Sequence, residues 1–221
     1  RRDAGAWARQ QGERPLIIAK KDDVLFDQSA HRYTVNGEVW PSVTQVLGLL
    51  HDWSRIPPHV LDAARQFGTH VHDACHLWNG GRLDEDALDP ELVPYLNGWK
   101  RFVRETGAVV MESELRVHHP KLRYAWTLDS IVKCNGRKWL IDIKSGAVPA
   151  TVGAQTAAYE KALCECTDMR VTRRKCVQLL PDDYRIHALT DLSDWSVFVS
   201  ALNCWRFKAK HCTLLKETQI E

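Results

Sequence analysis

The chain has 221 residues, of which 44% are hydrophobic, and a formal net charge of +2 from 30 basic and 28 acidic side chains. These values are typical of one large globular domain and argue against a long disordered protein. No stretch approaches the roughly 18 uninterrupted apolar residues of a membrane span, so we expect no membrane partner. The basic N-terminus is not followed by an apolar segment and therefore does not predict a secretory signal.

Cysteine content and charge narrow the classes further. Seven cysteines are present, and no two of them have the Cys-x-x-Cys spacing of a zinc ribbon or a thioredoxin-like site. We interpret them as reduced thiols of a cytoplasmic protein. The net charge is too small to indicate a nucleic-acid partner, so a binding face for nucleic acid has to come from local clusters of basic residues.

The N-terminal third predicts short strands followed by helices. Asn36 and Gly37 form a favoured two-residue hairpin turn between segments rich in apolar residues. Ser42 is a suitable N-cap for a helix over residues 43–50. The two prolines within 51–59 predict a loop there.

The rest of the chain alternates between helical and strand patterns. The spacing of apolar residues predicts helices over 60–78, 91–105, 151–166 and 191–211, and runs of β-branched and aromatic residues predict strands over 108–117, 124–133, 138–144, 170–180 and 184–189. This order predicts an α/β fold in which helices flank a central mixed β-sheet.

The most informative strand ends at Asp142 and Lys144. Residues two apart on a strand project from the same face, so a carboxylate and an ammonium group lie side by side just before a Ser-Gly break. The preceding strand carries Asp129 in an apolar run, and a predicted Asn-Gly hairpin joins the two strands. We therefore expect two carboxylates and a lysine to converge.

Such a group of side chains suits a hard divalent cation such as Mg²⁺. A bound cation lowers the pKa of its water and neutralises charge that develops on a phosphoryl oxygen. A neighbouring lysine can orient or deprotonate the attacking water and stabilise the developing charge. The alternative is a structural Asp–Lys ion pair on an exposed strand face, which is the commoner meaning of so short a pattern.

Two helices carry further candidates. Gln155 and Tyr159 lie four residues apart and share one helix face, although a buried tyrosine with an ordinary neighbour gives the same pattern. His72 and His76 are one turn apart. His72 could join the two aspartates on a metal, the two histidines could bind zinc without an HExxH motif, or both could simply be packed.

Taken in chain order, these motifs resemble the PD-(D/E)XK nuclease superfamily and, within it, the RecB-like branch. That branch carries a helical Gly-x-x-x-His, a Gly-x-x-Asp strand, an Asp-x-Lys strand and a Gln-x-x-x-Tyr helix. The matching residues here are Gly68 with His72, Asp129, Asp142 with Lys144, and Gln155 with Tyr159. Residues 41–47 also resemble the segment that opens the phage-type and mitochondrial genome-maintenance exonucleases of this branch.

The resemblance implies a restriction-endonuclease-like core. It implies an N-terminal arm with a first strand over residues 1–30 and a single RecB-like nuclease domain over 31–215. The implied ligands of Mg²⁺ or Mn²⁺ are His72, Asp129, Asp142, the backbone carbonyl of Ile143 and, as a further acidic group, Glu114. The implied catalytic residues are Lys144, which serves the attacking water, Asp142, Asp129, Gln155 and Tyr159, of which the last two hold the phosphate or the strand.

Two positions depart from the family pattern. Trp126 stands where a glycine is usual, and its ring could narrow the DNA path or stack on a base. His76 stands where the helix often carries an acidic residue, which leaves one or two metal ions open. Among the nine tryptophans, we expect Trp53 in the proline-rich loop to be exposed.

Basic clusters are the remaining candidates for DNA contacts. Lys100, Arg101 and Arg104 lie on one predicted helix, and Arg173 and Arg174 lie in a second group. Basic side chains set against phosphates give salt-sensitive binding. The alternative for each cluster is a solvated helix or strand face.

We therefore expect a metal-dependent DNA exonuclease that acts in recombination, repair or phage replication, since the phage-type and mitochondrial relatives are exonucleases. The expected partner is single- or double-stranded DNA, with a single-strand annealing protein as a further candidate, and the expected location is the host cytoplasm if the gene belongs to a phage. The alternatives are a structure-selective endonuclease, such as a junction resolvase on the same core, and a DNA-binding module without catalysis.

Overall fold

A computed structural model describes residues 24–28 and 30–217. Its strands are β1 (Val24–Asp27), β2 (Arg32–Val35), β3 (Glu38–Trp40), β4 (Val109–His119), β5 (Tyr124–Cys134), β6 (Arg137–Lys144), β7 (Arg173–Leu180) and β8 (Asp183–Ala188). Its helices are α1 (Val43–Leu47), α2 (Pro58–Asn79), α3 (Val93–Thr106), α4 (Val152–Cys166) and α5 (Asp194–Glu217), with a short 3₁₀ helix over Gly48–Leu50. Residues 1–23 of the predicted arm lie outside the described residues, and the proposed domain division stays a prediction.

The central sheet has five strands in the order β4-β5-β6-β7-β8. Strands β6 and β7 are parallel, and the other neighbouring pairs are antiparallel. The hairpin between β5 and β6 turns at Asn135 and Gly136, both in the left-handed region (φ of 49° and 74°), as a two-residue turn requires. Helix α4 makes the crossover that a parallel pair needs. The sheet is therefore mixed, and the predicted α/β fold is confirmed.

Helices cover both faces of this sheet. Helices α1, α4 and α5 pack on one face around Leu128 and Leu140, whereas α2 and α3 pack on the other face around Ile141 and Val177. The alternation of Leu140 and Ile141 between the two faces follows from the period of two along a strand. A separate small sheet, β1-β2-β3, packs through Tyr33 against the start of β5.

Helix α1 begins as the sequence predicts. The Ser42 hydroxyl accepts from the Gln45 amide at 3.1 Å, and the Gln45 side chain accepts from the Ser42 amide at 2.9 Å, which completes a capping box. The predicted helix over residues 43–50 is α-helical only as far as Leu47 and continues as a 3₁₀ turn.

The predicted start of α3 at residue 91 is wrong. The helix begins at Val93, because Pro94 rather than Pro90 occupies the first turn, where a missing amide hydrogen has no consequence. The helix ends at Gly107, which adopts a left-handed φ of 62°. No helix in residues 24–28 and 30–217 is both long enough and apolar enough to cross a bilayer.

Helix α3 crosses the turn between β7 and β8 very closely at Gly98. A Cβ atom at this position would lie 2.3 Å from the backbone oxygen of Asp183. We expect Gly98→Ala to lower the free energy of unfolding by about 1–3 kcal/mol, because the backbone of the turn has to move away. Urea unfolding measures this change.

The matched control is Gly48→Ala. No heavy atom lies within 4 Å of a Cβ built at Gly48, and its backbone is right-handed. This variant should unfold at nearly the wild-type urea concentration. Equal stabilities of the two variants would contradict the close packing at Gly98.

Candidate active site

The pairing between β5 and β6 in the central sheet ends next to Asp129 on β5. Pairing between β5 and β6 stops at Ser130 and Ile141, one position before Asp129 and Asp142 would face each other. Beyond that point the Asp129 carboxylate accepts a hydrogen bond from the backbone amide of Ile143 at 2.6 Å. A side chain thus replaces a backbone partner, and the two strands separate to form a polar notch in an otherwise apolar sheet.

Strand β4 is interrupted at the same place. Glu114 falls between two registered pairs and would face Asp129 across the β4–β5 ladder, but its backbone has a left-handed φ of 55°. Such a conformation is rare for a residue with a Cβ and indicates local strain, which accumulates at functional sites. This backbone strain supports a functional role for Glu114, a role that the sequence motifs alone support only weakly.

Helix α2 places His72 above the notch. Nε2 of His72 donates to the Ile143 carbonyl at 2.9 Å, and Nδ1 lies 3.5 Å from the Asp129 carboxylate. Burial alone would lower the pKa of His72, but the Asp129 charge outweighs burial and raises this pKa to about 9. The structure therefore brings together three residues of the predicted site: His72, Asp129 and Ile143. The Ile143 carbonyl accepts a hydrogen bond from the His72 imidazole.

His72, Glu114 and Asp129 each offer one ligand atom, and these atoms lie within 4.8 Å of one another. Burial and then the neighbouring Asp129 charge raise the pKa of Glu114 to about 8. Two carboxylates forced together with an imidazole repel each other unless a cation neutralises them, so the donor set fits a divalent metal. Asp142 lies outside this group of mutually close atoms.

Asp142 forms a second cluster on the α4 side of the sheet. It is fully buried, and Lys144 Nζ lies 2.7 Å from its Oδ2, while Gln155 Nε2 donates to its Oδ1 at 2.9 Å. Burial raises the pKa of Asp142 to about 6 despite the opposing lysine. Lys144 is thus the partner of Oδ2 and Gln155 the partner of Oδ1, so both oxygens of this buried carboxylate are engaged by side chains.

Gln155 and Tyr159 act as a unit. The Gln155 carboxamide donates to the Tyr159 hydroxyl as well as to Asp142. Tyr159 in turn stacks on Trp126, with ring centroids 5.5 Å apart and an angle of 9° between the planes. Trp126 therefore packs against the predicted Gln-x-x-x-Tyr motif, and its predicted contact with DNA stays a prediction.

Sequence reasoning missed a hydrogen-bond network beside Glu114. His76 Nδ1 lies 3.1 Å from the Ser113 hydroxyl, and Asn79 donates to the same hydroxyl at 3.2 Å. An Arg82 nitrogen lies 2.9 Å from His76 Nε2, which makes that nitrogen the acceptor. His76 thus holds the residue next to Glu114, and the zinc alternative with His72 finds no support in this geometry. The one sequence signal for this role is that His76 stands where the helix of the resembled family often carries an acidic residue.

The predicted DNA-contacting residues differ in their surroundings. Lys100 pairs with Glu85 at 2.5 Å, and Arg101 pairs with both Glu105 and Asp183. Arg174 links β7 to two helices. Its side chain is 12% exposed and pairs with Glu160 on α4 at 3.4 Å and with Asp194 on α5 at 3.0 Å. Arg104 and Arg173 are exposed and have no ion pair within the described ranges. Their contacts with DNA remain predictions.

Comparisons with known proteins give little further identification. No family model matches the sequence, and no curated protein matches it significantly. Among solved structures, the chain is similar to the crystal structure of LHK-Exo in complex with dAMP, with 18% identity, a TM-score of 0.38, and coverage of 81% of this chain and 93% of that chain. A likeness of this degree establishes neither a family nor a function, so the PD-(D/E)XK resemblance stays a prediction from motifs.

The Glu114–Asp129 contact predicts a stability that depends on pH. Because the pKa of Glu114 rises from 4.5 to about 8 on folding, the folded protein retains a proton that the unfolded chain loses, and stability falls as the pH rises through this window. In chelator at pH 8, Glu114→Gln should therefore be more stable than wild type by at least about 1 kcal/mol. Thermal unfolding measures the difference.

The same comparison has two internal controls. At pH 5 the advantage of the Gln variant should shrink, because wild-type Glu114 is then protonated in the folded state. With excess Mn²⁺ the order should reverse, since the wild type gains more stability from the ion. A loss of stability at pH 8 in chelator would exclude carboxylate repulsion at this site.

Proposed function

We propose that this protein is a metal-dependent nuclease that hydrolyses DNA phosphodiester bonds and that it acts as an exonuclease. The observation that carries the proposal is the convergence of Asp129, His72 and Glu114 on one side of a parted strand pair, with Asp142 and Lys144 beside them. The order of these residues along the chain supports the same conclusion, because it matches the RecB-like motifs. A role in recombination, repair or phage replication would follow from that resemblance.

His72, Glu114 and Asp129 would hold Mg²⁺ or Mn²⁺, with Asp142 Oδ2 and the Ile143 carbonyl as the neighbouring oxygen atoms. When bound, such an ion would acidify a coordinated water and offset negative charge on the phosphoryl group. To act as a ligand through Nδ1, which faces Asp129, His72 would have to lose the proton on that nitrogen, while Nε2 can keep its hydrogen bond to the Ile143 carbonyl.

Lys144 supplies a fixed positive charge at the reacting phosphate. Asp142 and Asp129 raise the pKa of Lys144 in spite of its burial, so the amine is protonated in this arrangement. A protonated amine cannot remove a proton from water, but it can orient the water by hydrogen bonding and stabilise charge in the transition state. The Asp142 carboxylate fixes the position of the Lys144 ammonium by an ion pair of 2.7 Å.

Gln155 and Tyr159 position this ion pair. Gln155 fixes one Asp142 oxygen, which leaves the other toward Lys144. Burial raises the pKa of Tyr159 well above its usual value, so the phenol stays neutral. The phenol oxygen accepts from Gln155, and the ring is fully buried, so Tyr159 holds Gln155 in place from inside the protein.

Substitution of the central ion pair tests the proposal. We expect Asp142→Asn and Lys144→Ala each to lower the rate of DNA cleavage at least about a hundredfold, because each removes a group that stabilises the transition state. The rate is measured on end-labelled linear DNA in Mg²⁺, Mn²⁺ or chelator, and chelator should abolish wild-type activity. Circular dichroism verifies that the variants fold.

Glu38→Gln is the matched control, since Glu38 also pairs with a basic residue, Arg123, at 3.2 Å, but both side chains are exposed on the surface. It should cleave DNA at nearly the wild-type rate. Wild-type rates for well-folded Asp142 and Lys144 variants, or no cleavage by the wild type under any metal condition, would refute the proposed function.

The preference for DNA ends has its own test. An exonuclease should degrade linear DNA and leave a covalently closed circle of the same sequence intact. Time courses on both substrates in Mn²⁺ show the difference. Cleavage of the circle as fast as the linear form would instead identify the structure-selective endonuclease.

A further inference from the structure

Trp53 is an exposed aromatic residue whose position the function proposed above does not use. It lies in the loop between the 3₁₀ helix and α2, and 40% of its surface is exposed. Within residues 24–28 and 30–217 it is the only exposed tryptophan, as predicted. An exposed ring can bury further apolar area when it binds a flat ligand.

The ring of Trp53 is held in place. It stacks on His51, with centroids 4.8 Å apart and 22° between the planes. His51 Nε2 lies 3.0 Å from the Thr151 hydroxyl, which ties the loop to the first residue before α4. The pair is therefore a pre-organised aromatic surface, and pre-organisation lowers the entropy lost on binding.

The anchor of this surface is close to the candidate active site. Thr151 caps the start of α4 and lies four residues before Gln155, which corresponds to about 6 Å along the helix axis. Gln155 contacts Asp142 directly at 2.9 Å. Lys144 pairs with the same carboxylate, so a strand whose phosphate lies at Lys144 can extend toward Trp53.

The chemistry around Trp53 favours a nucleobase. Burial lowers the pKa of His51, so the ring behind Trp53 is neutral at neutral pH. The Asp52 carboxylate is turned back onto the Ser54 amide at 3.0 Å, and Arg55 has no ion pair in the described part of the chain. A flat aromatic surface with a nearby unpaired cation suits a base and its phosphate.

We propose that Trp53, backed by His51, is a stacking site for an unpaired base of the DNA strand that enters the active site. The identity of the ligand rests on the proposed nuclease function. The expected substrate is therefore DNA that is unpaired near the scissile bond, because the bases of an intact duplex already stack on each other.

Binding of DNA without turnover tests this site. Anisotropy of a labelled single-stranded oligonucleotide in chelator gives the affinity of wild type, Trp53→Ala and Trp53→Phe. We expect Trp53→Ala to weaken binding about tenfold, the scale of one base stacked on an aromatic ring. Trp53→Phe should keep most of the affinity, because a ring still stacks.

Two further probes separate stacking from other roles. An abasic oligonucleotide keeps the phosphates but has no bases, and a blunt duplex has no unpaired base, so both should bind wild type and Trp53→Ala equally. The salt dependence of binding should be the same for both proteins, since tryptophan contacts no phosphate. Phe207→Ala is the matched control, because Phe207 is also an exposed ring (65%) that packs on a histidine, His211, but lies on α5.

The inference is overturned if Trp53→Ala binds the single strand as tightly as wild type, if it loses equal affinity for the abasic strand, or if Phe207→Ala loses as much. A surface that docks a protein partner gives the first of these results. Failure of the nuclease proposal looks different, because the wild type would then cleave no DNA while the base-dependent loss in Trp53→Ala persisted.

Discussion

The hydrogen bond from the Ile143 amide to the Asp129 carboxylate is the constraint on which the site depends. A buried amide needs a partner, and this one finds a side chain where the ladder would normally supply a carbonyl. Because the Asp129 side chain accepts this hydrogen bond, β5 and β6 can separate without leaving the Ile143 amide unsatisfied. The notch that results admits polar groups from α2 on one face and from α4 on the other, although the rest of the sheet is apolar.

Electrostatics explains why these groups stay together. Asp129 is buried, yet the neighbouring His72 and Lys144 charges hold its pKa below the usual range. For Glu114, burial and the Asp129 charge outweigh the opposing His72 charge and raise its pKa to about 8, and its backbone is also strained. A divalent ion between these oxygen atoms would remove the repulsion.

Much of this arrangement could be predicted from the sequence, because it follows local rules. The Asn135–Gly136 turn fixes the register of β5 against β6, and helical spacing puts Gln155 and Tyr159 on one face. The remainder depends on side-chain conformations that no local pattern encodes. The left-handed Glu114, the support of Ser113 by His76, and the ion pairs that engage Arg174 arise only when distant elements pack.

The central claim is that one cation binds where β5 separates from its neighbours. Crystals grown with Mn²⁺ and measured for anomalous scattering at the manganese edge test it most directly. The account predicts a peak within coordination distance of Asp129, Glu114 and His72, with Asp142 or the Ile143 carbonyl nearby. A well-ordered, Mn²⁺-saturated crystal with no peak at this position would contradict it.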